Sequence, residues 1–250
     1  MSDKFIQIFL SNLDEDLPEV LRLQASRFNS LYSNCEYLYF DRSNLRDWIG
    51  DVMDKSVLAA FDCLKPLAFK ADLARYCLIH HYGGWYADIT LKPLIGIRLG
   101  PDIEFSYFYD SGSGLPSPMR SSHDVMNAFF YSRAGHPVLS STIESILKNV
   151  NCLNYGNTSL CPTGPTLFGR SIAQYAPSPS MLMGHFIPLT PSHSNTNKAF
   201  VAQDGSIVAL HKSAWHSGQP EPGDLSSFGV QGSNNYQELW LDRDIYSTQD

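Results

Sequence analysis

"KADLARYCLIHHYGGWYADITLKPL", Lys70 to Leu94, is the stretch that decides how this chain folds. Pro66 stands just ahead of it and Gly83-Gly84 interrupts it, the proline-first, glycine-last order of a helix. The following "GGWYADITL" reads as a strand. On it Trp85, Ala87, Ile89 and Leu91 face one way, and Tyr86, Asp88 and Thr90 the other. Asp72 and Arg75 are three apart and share one helical face. Each feature has a plain reading by itself: a surface ion pair worth under ~1 kcal/mol, and a strand-end acid accepting backbone hydrogen bonds. Together they converge an acid, a base and a second acid where a helix end meets a sheet. Clefts outside the carboxyl ends of strands are the usual ligand sites of open α/β sheets.

The neighbouring stretches extend the pattern. "KFIQIFL" predicts a first strand, and a helix follows from Asp16 with Asp16 as its cap. "EYLYFD", "IEFSYFYD", "NAFFYSR", "HFIPL" and "SIVAL" read as further strands. Helices are expected near Ser43–Val52, Val57–Cys63, "HPVLSSTIESILKNV" and the end of "TGPTLFGRSIAQY". Residues 110–122 read as loop. Residues 216–250 are expected to form a loop-rich C-terminal tail on a single domain spanning 1–250. Strands alternating with helices predict a mixed α/β sheet.

Composition narrows the partners. The chain has 250 residues, 43% hydrophobic and 12% aromatic, enough for a sizeable core. Its net charge of −7 argues against nucleic acid and anionic membranes as main partners. Five cysteines without paired spacing read as reduced thiols in a cytosolic setting. No run approaches the roughly 18 apolar residues of a membrane span. No GxGxxG, P-loop or GxSxG context appears.

The Lys70–Leu94 stretch resembles the sugar-transfer signature (S/A)-D-x-x-R-…-G-G-x-Y-x-D-x-D-x-x-x-x-P-L. That signature marks the retaining glycosyltransferases of the yeast mannosyltransferase-like family (glycosyltransferase family 32) and, more distantly, the clostridial glucosylating toxins. Ala71, Asp72, Arg75, Leu78, Gly83, Gly84, Tyr86, Asp88, Pro93 and Leu94 fall in register. "FIQIFLS" is similar to the family's opening strand, with Phe9 where tryptophan is common. "NAFFYSRAGHPVL" is similar to a segment that would give Asn127 a role, and "TGPTLF" to a loop carrying Gly164 and Pro165. "HKSAW" has the spacing of a late N/H-x-S-x-W motif, with His211, Ser213 and Trp215.

The resemblance implies a GT-A fold, a Rossmann-like mixed sheet flanked by helices. It also implies transfer of a hexose from a UDP- or GDP-sugar to a glycan or other hydroxyl acceptor, with retention of configuration. Phe9 would stack on the base. Asp72 and Arg75 would grip the donor sugar, and Asp88 would contact ribose or sugar. Gly83, Gly84, Tyr86, Asn127, Gly164, Pro165, Ser213 and Trp215 would border the substrates. Mn²⁺ or Mg²⁺ would lie between Asp88 and His211. A place in polysaccharide biosynthesis follows, in the cytoplasm or peripheral to a membrane assembly site.

Thr90 departs from the signature at the family's direct metal ligand, since a neutral hydroxyl is a poor ligand for a hard cation. Three outcomes are compatible with it. His211, Ser213 and the diphosphate complete the metal site; the enzyme works without metal, using Arg75 or Lys92; or the chain is an inactive nucleotide-sugar or glycan-binding relative.

Overall fold

The computed structural model describes residues 3–111, 124–190, 197–217 and 222–247. β1 (Lys4–Ile8) leads through α1 (Glu19–Leu31) to β2 (Glu36–Phe40). Then come α2 (Arg42–Val52), α3 (Lys55–Cys63) and α4 (Leu67–Tyr82), followed by β3 (Gly84–Ala87) and a short β4 (Lys92–Pro93). β5 (Phe105–Asp110), β6 (Val125–Ser132), α5 (Pro137–Asn151), α6 (Pro165–Ala173) and β7 (Met181–Pro188) follow. β8 (Lys198–Val201), β9 (Ile207–Leu210), α7 (Lys212–Trp215), a 3-10 turn (Ser226–Phe228) and α8 (Tyr236–Leu241) complete the order.

The strands form one sheet in the order β2-β1-β3-β6-β5-β7-β8-β9-β4. β2, β1 and β3 run parallel, β6 is antiparallel to β3 and β5, and β5 pairs parallel with β7. Alternation along the central strands sends side chains into two cores. Ile6, Ile8, Tyr86 and Phe130 pack against the helices α2 to α6. Phe5, Trp85, Ala87 and Phe129 point to the other face, against Phe28 of α1 and Phe200 of β8. This helix-flanked mixed sheet is a GT-A-like, Rossmann-type fold, as expected from the sequence.

α4 is buried on nearly every side, with Leu73, Ala74, Tyr76, Cys77, Leu78 and Ile79 all inaccessible. Its end is set by two glycines with left-handed backbone, φ +68 at Gly83 and +104 at Gly84. A Cβ on Gly84 would lie 2.1 Å from the Lys4 carbonyl oxygen. β3 can therefore pair with β1 only because residue 84 lacks a side chain. Gly84→Ala is expected to cost about 2–5 kcal/mol from strain and overpacking, read as a fall in the urea midpoint. Both glycines are absent from the lining of the cleft described below, and the geometry shows them aiming β3.

The sequence reading needs correction at four points. Asp16 does not cap α1, which starts after Pro18 with no side-chain cap. The strand read as "GGWYADITL" ends at Ala87; Asp88 N–H donates to Ala128 O, then Leu91 N–H donates to Asp88 O and closes a turn. Thr90 is thus in a turn, not two residues along one pleat from Asp88. β4 and β8 were not foreseen. Of the 110–122 loop, Asp110 belongs to β5, and 112–122 lie outside the described residues.

The C-terminal segment packs against the body. The Glu15 carboxylate accepts from the backbone N–H of Gln231 (2.6 Å) and Gly232 (2.7 Å). Ile245 is fully buried, and Leu64 bridges Tyr246.

Candidate functional site

α4, β3 and β6 meet at a cleft of about 420 Å³ outside the end of β3. Asp72, Arg75, Tyr86, Asp88, Thr90 and Asn127 lie along one side of it. Gly164 and Pro165 at the start of α6, with His211, Lys212 and Ser213, also line it. Sequence-distant motifs are therefore brought into one place.

The geometry centres on Arg75. Its guanidinium lies 3.1 Å from Asp72 Oδ1 and 3.0 Å from Asp88 Oδ1. It donates from Nη1 to Asn127 O (2.9 Å) and from Nε to Ala71 O (3.2 Å), and stacks 4.7 Å over the Tyr86 ring. The pair with Asp72 is buried, with side chains only 5% and 11% exposed. Two carboxylates facing one guanidinium hold Arg75 fully protonated, against the cost of its burial.

Asp72 is saturated. Asn127 Nδ2 donates to Oδ1 at 2.8 Å and Thr163 Oγ1 to Oδ2 at 2.7 Å. Asn127 Nδ2 also meets Tyr76 OH at 2.7 Å. Burial raises the Asp72 carboxyl above its usual range, and Arg75 is the largest influence pulling it back. Asn127 and Tyr86 line the cleft and also position its acids: Tyr86 OH donates to Asp88 Oδ1 at 2.7 Å. Both Asp88 contacts fall on Oδ1, so Oδ2 has no hydrogen bond among the described residues. At 31% side-chain exposure, Asp88 is the accessible acid of the set.

The late motif folds onto the same wall. His211 Nδ1 accepts from Ser213 N–H (3.3 Å) and lies 2.8 Å from Ser213 Oγ. Burial, reinforced by Lys212 and Lys198, pulls the His211 pKa down to about 3, so the imidazole is neutral. Trp215 is not on the cleft; its indole N–H donates to Thr90 O at 3.0 Å, bracing the turn after Asp88. Trp215→Phe is expected to lower stability by about 1 kcal/mol through that one bond, measured by urea unfolding.

Phe9 separates this cleft from a second of about 590 Å³ bordered by Tyr37, Tyr39, Asp41 and Arg42. It packs with Ile89, Phe228 and Val230 and is 3% exposed, so it offers little ring surface for stacking in this arrangement. Sequence reasoning missed Tyr76, Thr163, Lys198 and Lys212. Thr163 sits in the "TGP" loop and Lys212 inside "HKSAW", both read only for their neighbours.

As a metal centre the donors are thin. Hard divalent cations take six or more oxygen ligands. Here Asp88, Asp110, the neutral Thr90 hydroxyl and His211 line the cleft, and no group of three His, Cys, Asp or Glu placed to hold one ion occurs among the described residues.

No protein-family profile matches the chain. An uncharacterized glycosyltransferase of Acanthamoeba polyphaga mimivirus is 22% identical over 207 residues, covering 80% of this chain and 78% of that protein. Among solved structures, the PaToxG glycosyltransferase superposes with a TM-score of 0.56 over 70% of each chain, at 13% identity. The chain is glycosyltransferase-like, on a GT-A-like fold. No helix among its described residues is long and apolar enough to cross a membrane.

Proposed function

We propose that this glycosyltransferase-like chain moves a hexose from a nucleoside diphosphate sugar, UDP- or GDP-linked, to a hydroxyl on a glycan or other acceptor, with retention of configuration. The observation that carries the reading is Asp88: an accessible carboxylate, fixed by Tyr86 and Arg75, at the carboxyl end of β3 in a cleft. A fixed anion there stabilises an oxocarbenium-like sugar as the leaving group departs. Asp72 and Arg75 present a rigid face to the donor sugar. No enzymic nucleophile is assigned, in keeping with same-face attack.

Thr90, standing where the family signature has a second acid, favours one other reading, an inactive nucleotide-sugar or glycan-binding relative. Incubation with a panel of nucleotide sugars separates the two. Release of nucleoside diphosphate from one donor, even slowly and to water, is expected. Tight binding with no release from any donor would make the chain a binding protein, and no binding at all would end the donor reading.

A further inference from the structure

Two lysines line the cleft without a carboxylate in ion-pair contact among the described residues, although Asp110 stands near Lys198, and Asp88 and Asp224 near Lys212. Lys198 opens β8 and Lys212 opens α7, and both line the wall that carries His211 and Ser213. Among the described residues neither ammonium forms an ion pair or a side-chain hydrogen bond; Lys198 Nζ lies over the Phe186 ring, 5.2 Å from its centre. Burial disfavours both ammoniums and the nearby carboxylates offset it only at a distance, so an anion bound in direct contact with the pair would stabilise them further.

His211 points to the same ligand chemistry. Its Nδ1 accepts from the Ser213 backbone N–H. An imidazole whose Nδ1 lone pair accepts a hydrogen bond carries its proton on Nε2. No acceptor among the described residues meets that N–H. It therefore offers a donor, where a metal would need a lone pair. The cations weighed from sequence fare worse. Arg75 is engaged by Asp72, Asp88 and two carbonyls, and Lys92 on β4 does not line the cleft.

We propose that Lys198, Lys212 and the His211 Nε2–H form the diphosphate site, and that these ammoniums, rather than a protein-held divalent metal, meet the charge of the leaving group. This rests on the nucleotide-sugar reading above. In the transfer, the bond from the anomeric carbon to the β-phosphate oxygen breaks and its electron pair stays on that oxygen. The acceptor oxygen forms the new bond to the anomeric carbon, and its proton passes to the departing phosphate. Charge thus gathers on the diphosphate, opposite two fixed cations.

Calorimetry on the full chain in excess chelator, with inorganic diphosphate as the probe, tests this. Wild type is expected to bind. Lys198→Met and Lys212→Met are each expected to weaken binding about 10- to 100-fold, and Lys212→Arg to keep most of it. Binding that appears only with added Mn²⁺ or Mg²⁺ and is unchanged in Lys212→Met would overturn the inference. A nucleotide-sugar panel run in parallel separates the two levels. Donor binding in chelator that both Met variants leave unaltered removes the lysine site but keeps the donor reading. Absence of donor binding under every condition removes both.

Discussion

Asp88→Asn is expected to lower turnover by about 10²-fold or more in a protein that still folds, the scale of losing one preorganised electrostatic group. Asparagine keeps the shape and one oxygen, so the Tyr86 hydroxyl still has an acceptor. What disappears is the negative charge that the proposed function sets against the donor sugar. The folded state tolerates this because Arg75 retains Asp72 as a buried counter-charge, while Asp88 is 31% exposed and contributes modestly to stability. Nucleoside diphosphate release, alongside a urea melt, checks both halves. Near-normal turnover in the folded variant would remove Asp88 from the chemistry.

Arg75→Met should destabilise the chain by about 3–5 kcal/mol, the cost of breaking a buried ion pair from one side. The guanidinium is sealed between two carboxylates, two carbonyls and the Tyr86 ring. Without it Asp72 stays buried with only Thr163 and Asn127 as donors, and its carboxyl rises further. The sign follows. The folded variant then holds a proton that the unfolded chain releases near pH ~4. The deficit therefore grows as pH rises above that value and shrinks in acid. Urea midpoints across pH measure it. A loss under about 1 kcal/mol, flat with pH, would show that the Asp72–Arg75 pair is not the structural keystone of the cleft.

Much of this was legible because the decisive signals are local. Proline before α4, glycines after it, and three-residue spacing of Asp72 and Arg75 place those side chains without knowledge of the rest. The reading of Asp88 and Thr90 as pleat neighbours failed for an equally physical reason. Ile89 and Thr90 are β-branched and continue the alternation. Asp88 N–H nevertheless pairs with Ala128 O, and the chain then turns to leave the sheet. That is a tertiary contact no period-two pattern encodes. The surroundings of Asp72 were hidden in the same way: Thr163 reaches it from 91 positions along the chain and Asn127 from 55. Lys198 lies in a short strand that no pattern marked, and its pairing with β7 and β9 brings it to the cleft. Phe9 shows the converse. Its position at the end of β1 was readable, but its cover by Phe228 and Val230 depends on a tail fastened by Glu15.

The claim that this cleft is the donor site for sugar transfer is tested most directly by a crystal structure of the full chain with the nucleotide sugar that it hydrolyses. The account predicts the sugar against Asp88 and the Asp72–Arg75 face, and the diphosphate oxygens within hydrogen-bonding distance of Lys198 and Lys212. A donor seated away from these residues, for instance in the surface hollow beside Lys148 and Arg243, would contradict it.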